Sequence, residues 1–254
     1  MAARDRLREI SRILVGARRA ATALPCFPGT LPENFADAYA IQQLSRESWP
    51  DEVAGWKVGG VPSDFIDIFG ETHLVGPIFA RSVKYVTNGA CVAIPVFSGG
   101  FAAIEPELIL QLGEKRAQDR LFIGAEIASS PLPAINEIGP IAVICDFGNN
   151  NGMIVGPEIL DWRDQAVAPI VVECLINDET VGSRELGNFA RAAEKTVEFL
   201  LSHGKEKGIE VTAGTYISTG AITGIHEAGP GASSSISFGR YGSFSVTLHT
   251  ATAS

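Results

Sequence analysis

Apolar positions recur along this chain with two different periods. Leu7, Ile10, Leu14 and Ala17 return every three to four residues, which predicts a helix from residue 5 to about 23. "PCFPGTLPEN" then breaks the pattern with three prolines and a glycine. "DAYAIQQLSRESW" reads as a second helix, ended by Pro50. From Val53 the texture changes to short apolar runs divided by glycines. "VAGWKVGG", "KYVTNGACVAIPV", "FAAIEPELILQLG", "AVICDF", "VVECLINDETVG", "TYISTGAITG" and "SSISFGRYGSFSVTLH" are expected as strands with turns between them. One long helix interrupts them. In "LGNFARAAEKTVEFLLSHG", Phe189, Ala193, Val197 and Leu200 fall on one face, and Gly204 is the expected stop. The expected class is α+β: a helical pair over residues 1–52, then a mostly antiparallel β body over 53–254 carrying one long helix, as one continuous unit.

Composition narrows the function classes. The chain has 254 residues, and its 46% hydrophobic content supplies a sizeable core. A net charge of -9 argues against a nucleic-acid partner, which would favour a basic stripe. No run of eighteen apolar residues marks a membrane span. The four cysteines form no C-x-x-C pair, so reduced thiols and a cytoplasmic location are expected. The arginine-rich start has the amphipathic look of a transit peptide. Asp5 and Glu9 interrupt its basic face, which favours an ordinary structural helix.

The candidate chemistry begins at "IEPEL". Glu105 and Glu107 are separated only by Pro106, and a strand with a period of two points both to one face. Two carboxylates inside an apolar run repel. A divalent cation would hold them together, and oxygen ligands on a rigid strand suit Mg2+ or Mn2+. Without it, one of the pair should have a raised pKa. An arbitrary E-x-E more often faces solvent, but the flanking apolar residues weaken that reading. In "GWKVGG", Lys57 sits among apolar residues and glycines. It either snorkels to the surface or, partly buried, binds a carboxylate or moves a proton. "DFGNNNG" and "STGAITG" are turn-like, and their amides and small residues suit close approach of a ligand. The four histidines are scattered, without zinc-site spacing, and neither G-x-S-x-G nor a phosphate-binding loop occurs.

In order and spacing, "DAYAIQ" (37–42), "GWKVG" (55–59), "IEPEL" (104–108), "LPAIN" (132–136), "GNNNG" (148–152) and "TGAITG" (219–224) resemble one family. It is the 2-keto-4-pentenoate hydratase and 4-oxalocrotonate decarboxylase group of the fumarylacetoacetate hydrolase superfamily. The resemblance spans nearly the whole chain. It implies a β-rich roll of mixed sheets with helices around it, and Mg2+ or Mn2+ that chelates a small 2-oxo acid. In that family an enolate then gains water, forms by loss of CO2, or results from carbon–carbon cleavage.

By resemblance, Glu105 and Glu107 match the first two metal ligands and Lys57 the active-site lysine; Asn149, Asn150, Thr219 and Gly220, in the two turn-like motifs, are the expected substrate-binding residues. The family's third ligand is a glutamate in "PAIE". Here Asn136 stands there with Glu137 next to it, and one of these two is expected to complete the shell. With Asn136 in that place the set is two carboxylates and an amide, hence a weak site; Glu137 in its stead would make a tight one. Leu74 or Val75 stands where the hydratases carry an acid, and Thr215 and Ala221 also depart from the pattern. The expected function is a metal-dependent hydratase of a small 2-oxo acid such as 2-keto-4-pentenoate, acting as a homo-oligomer. The alternatives are a decarboxylase or carbon–carbon hydrolase of the same superfamily, or a chemically impaired partner subunit.

Overall fold

The computed structural model describes residues 2–164, 166–207 and 209–253. It opens with α1 (Ala2–Ala20) and α2 (Phe35–Ser48), close to the two expected helices. Asn34 caps α2 by accepting a hydrogen bond from the Asp37 N–H at 2.8 Å. The chain continues through β1 (Val53–Gly60), α3 (Ser63–Phe69), β2 (His73–Phe79), β3 (Val83–Tyr85), β4 (Cys91–Val96), β5 (Phe101–Gln111) and β6 (Arg120–Ser130). Two short helices follow, α4 (Ile135–Ile138) and α5 (Pro140–Cys145), then β7 (Asn150–Glu158), β8 (Ile170–Ile176) and β9 (Glu179–Leu186). Helix α6 (Phe189–Lys207) precedes β10 (Tyr216–Ser218), β11 (His226–Glu227), β12 (Ser233–Ser237) and β13 (Ser243–Thr250).

The strands form two mixed sheets. The first runs β2-β1-β10-β5-β6-β7-β3, with β11 also paired to β5; the second runs β4-β13-β12-β8-β9. Most pairs are antiparallel, but β1–β10, β3–β7 and β4–β13 are parallel. This is the expected α+β roll of mixed sheets with a helical pair and one long helix.

Three local expectations need correction. "AVICDF" is not a strand: its apolar run is the body of α5. A short buried run carries no period that separates strand from helix, and here the start decides. Gly139 turns the chain at φ 105°, and Pro140 then occupies the first helical position with its fixed φ. Gly204 does not stop α6, which runs on to Lys207. Only Tyr216–Ser218 of "TYISTGAITG" is strand. The sequence reading also passed over α3, α4, β2, β6 and β7, and β6 proves decisive below.

Two packing regions hold the fold. The larger joins both sheets to α6. Leu108, Ile123, Ile236 and Phe244 from the strands meet the buried α6 face formed by Phe189, Ala193, Val197 and Leu200. The second seats the N-terminal helices, through Ile10, Leu14 and Ile41, against Ala103 of β5 and Ala128 of β6. Gln42 of α2 bridges outward from there. Its side-chain amide Nε2 donates to the carbonyls of Val75 on β2 and Ile144 on α5.

Gly76 controls how closely the polar loop after α5 approaches the sheet. It pairs with Lys57 across β1–β2. A Cβ there would lie 2.3 Å from the Phe147 carbonyl oxygen and 2.7 Å from the Gly148 Cα, both backbone atoms. Neither can yield as a side chain would. Gly76→Ala is therefore expected to cost about 1–3 kcal/mol through overpacking. A thermal melt lowered by several degrees checks this, and an unchanged melting temperature would contradict it.

Candidate metal and substrate site

Strand parity builds the site. Glu105 and Glu107 lie two apart on β5 and so share a face. Glu126 on β6 is the direct cross-strand partner of Glu105, which puts it on that face as well. Lys57 on β1 pairs with Ser218 on β10, and Ser218 pairs with Ile109 on β5, again in phase with Glu107. Four ionisable groups from three strands therefore converge on one face of the first sheet. One oxygen from each of Glu105, Glu107 and Glu126 lies within 4.8 Å of the others. All four side chains are buried, with residue exposures of 6% for Glu105, 1% for Glu107, 1% for Glu126 and 7% for Lys57.

Hydrogen bonds aim these groups. Lys57 Nζ is 3.2 Å from Glu126 Oε1. The Asn150 amide donates to the same oxygen at 3.0 Å. Glu107 Oε2 accepts from the Ser218 hydroxyl and, at 3.0 Å, from the Gly220 N–H. The loop that carries Asn150 is tied down by Arg18 of α1. Its buried guanidinium grips the Asp146 carboxylate at 2.6 and 2.9 Å and also donates to the Asn150 carbonyl at 3.1 Å. Ser130 donates to Asp146 as well, at 2.6 Å. The N-terminal helix thus serves the site through one arginine.

Burial dominates the electrostatics. It pushes the Glu105 carboxyl up to about 7, with Lys57 pulling it down and Glu126 pushing it further up. Burial also holds Glu107 well above the ordinary carboxylate value, reinforced by Glu126 and Glu105 and opposed by Ser218 and Lys57. For Lys57, burial works against the charge, but Glu126, Glu105 and Glu107 outweigh it and keep the ammonium above the ordinary lysine value. One ammonium against three carboxylates leaves the cluster short of positive charge.

The residues fit a hard divalent cation. The donors are all oxygen and they converge, and a cation would offset both the burial and the mutual repulsion that raise the Glu105 and Glu107 carboxyls. Asn149, also buried, lines the same cavity, and its Oδ1 has no protein partner. The cavity measures about 460 Å3, and its walls include Lys57, the three glutamates, Asn136, Thr219 and Gly220.

The structure sets Asn136 and Glu137 apart from the carboxylate cluster. Asn136 reaches the cavity wall, but from α4 rather than from the strand face that holds the glutamates. Glu137 is exposed and is not part of the carboxylate cluster. The carboxylate that joins Glu105 and Glu107 is Glu126, which makes a three-carboxylate cluster where the sequence suggests two. Its signal was present in "RLFIGAEIASS": a lone glutamate in an apolar run one hairpin away from "IEPEL". Asn150 does not line the cavity and acts through Glu126 instead.

The raised Glu105 value has a testable consequence. Between pH 4.5 and about 7 the folded protein holds a proton here that the unfolded chain has released. Its contribution to stability is therefore full at low pH and is lost as pH rises through 7. With a chelator present, the melting temperature should fall from about pH 5 to pH 8, and Glu105→Gln should flatten that fall. Saturating Mn2+ should restore stability most at the alkaline end. A wild-type melting curve with the same slope as the variant would contradict the assignment.

Fold and site meet in a known architecture. The chain shares its fold with solved metal-complexed enzymes. In particular it is similar to the 4-oxalocrotonate decarboxylase of Pseudomonas putida G7, solved with magnesium and adipate. The TM-score is 0.75 at 22% identity, over 96% of this chain and 98% of that one. It is also similar to the fumarylpyruvate hydrolase of Pseudomonas aeruginosa, solved with Mn2+ and pyruvate. There the TM-score is 0.55 at 14% identity, over 80% of this chain and 91% of that one. No protein-family model and no curated protein matches the sequence. Among the described residues no helix is long and apolar enough to cross a membrane.

Proposed function

We propose that this chain is a divalent-metal-dependent lyase that hydrates a small 2-oxo acid such as 2-keto-4-pentenoate. The observation that carries the reading is the convergence of Glu105, Glu107 and Glu126 around one face with Lys57 beside them. Mg2+ or Mn2+ held by the three carboxylates would supply Lewis acidity to the keto and carboxylate oxygens of the substrate. Glu107 is oriented for this by Ser218 and Gly220, and Glu126 by Asn150. Lys57, kept cationic, offers Nζ–H to a substrate oxygen or moves a proton to it. Asn149 Oδ1 and Thr219 border the space where the substrate and an attacking water would sit. Burial of all four charged groups keeps bulk water from screening them. The third carboxylate weighs against the impaired-subunit alternative.

Decarboxylation is the second reading, favoured by the fold likeness to a decarboxylase along nearly the full length of both chains. A panel of 2-oxo acids with Mg2+ or Mn2+, followed by ultraviolet absorbance and product mass, separates the two. Gain of one water supports hydration, loss of CO2 supports decarboxylation, and no turnover contradicts both. A two-fold assembly is part of the same proposal. Light scattering at micromolar concentration should give more than the monomer mass, and a monomer would refute that part.

A further inference from the structure

The buried wall of the cavity is charged, and its exposed wall carries no lysine, arginine or carboxylate among the described residues. All the buried ionisable groups, Lys57 and the three glutamates, lie in the buried wall. The more open part of the wall is formed by Gly60, Pro62, His73, Asn136, Val143 and Ile225. His73 is the one ionisable side chain there. Its Nδ1 is engaged with the Thr72 hydroxyl at 2.9 Å, and its ring lies 4.8 Å from that of Phe199. Ile225 is 56% exposed, a large apolar side chain left in water at the cavity mouth.

From this division, and resting on the 2-oxo acid reading above, we infer that the site selects 2-oxo acids whose far end is uncharged and apolar, with Ile225 as a specificity-determining residue. The charge balance supports it. Three carboxylates and one ammonium leave two negative charges, which one divalent cation cancels. The substrate's own carboxylate then adds one negative charge, met by the cation and Lys57. A second carboxylate at the far end would meet no lysine or arginine, only His73 held by Thr72, and would lose hydration against Ile225, Pro62 and Val143. An apolar tail loses nothing there and covers exposed apolar surface.

Calorimetric titration of the Mn2+-loaded protein with 2-oxohexanoate and 2-oxoadipate tests this, because the two differ only in methyl against carboxylate at the far end. The first should bind at least about tenfold more tightly. Ile225→Arg places a cation at the rim and should narrow or reverse the preference; because Ile225 is mostly exposed, the fold should tolerate it, and a thermal melt checks that it does. Equal binding, or tighter binding of 2-oxoadipate by the wild type, would overturn the inference alone. Binding of neither acid would overturn the 2-oxo acid reading and the inference with it.

Discussion

Glu126→Gln should weaken Mn2+ or Mg2+ binding by at least about 100-fold and reduce metal-dependent turnover at least as much. The expectation follows from charge and geometry. A cation about 2 Å from each ligand oxygen loses a full anionic partner, and water replaces it only in part. Glutamine keeps the shape and can still face Lys57 and Asn150, so the change isolates charge from packing. Relief of repulsion on Glu105 and Glu107 should lower their raised values, which makes the apo variant more stable at alkaline pH while its metal binding is weaker. Glu137→Gln, on the exposed helix α4 position, should leave affinity within about threefold, as an exposed charge outside the cluster is screened. Calorimetric titration of the three proteins reads both values. Equal loss in both variants would return the third ligand position to α4.

Lys57→Met should have the opposite signature. Turnover should fall by about 100- to 10,000-fold, the range for loss of a positioned acid–base group. Metal affinity should hold or rise, because the variant removes a positive charge beside the cluster. In the apo protein Glu105 and Glu107 lose the cation that lowers their carboxyl values, so both should rise further. Steady-state rates and a Mn2+ titration on the same preparation separate the effects. A variant that loses metal binding along with activity would make Lys57 a structural support rather than a catalytic group.

The parts of this account that were legible in the sequence share a cause. The buried faces of α1 and α6 repeat over enough turns for their period to show, as Ile10, Leu14, Val197 and Leu200 do. Glu105 and Glu107 could be placed on one face because parity along a single strand needs no knowledge of its neighbours. Glu126 could not be reached that way. Its place beside Glu105 is set by the β5–β6 register, a tertiary fact, whereas "LPAIN" resembles the family pattern in the sequence alone. Helix α5 reads as a strand in the sequence because a run of six apolar residues, five of them buried, carries too little period. The role of Arg18 was hidden for a related reason: its partner Asp146 lies 128 positions away, and nothing in an arginine-rich helix singles one arginine out.

The central claim is that a divalent cation sits among Glu105, Glu107 and Glu126, with Lys57 at its side. Crystals soaked in Mn2+, with diffraction recorded to give the anomalous signal of manganese, test it most directly. The account predicts one strong anomalous peak within coordination distance of an oxygen from each of the three glutamates. A peak at Glu137 instead, or none among the three carboxylates at millimolar Mn2+, would contradict it.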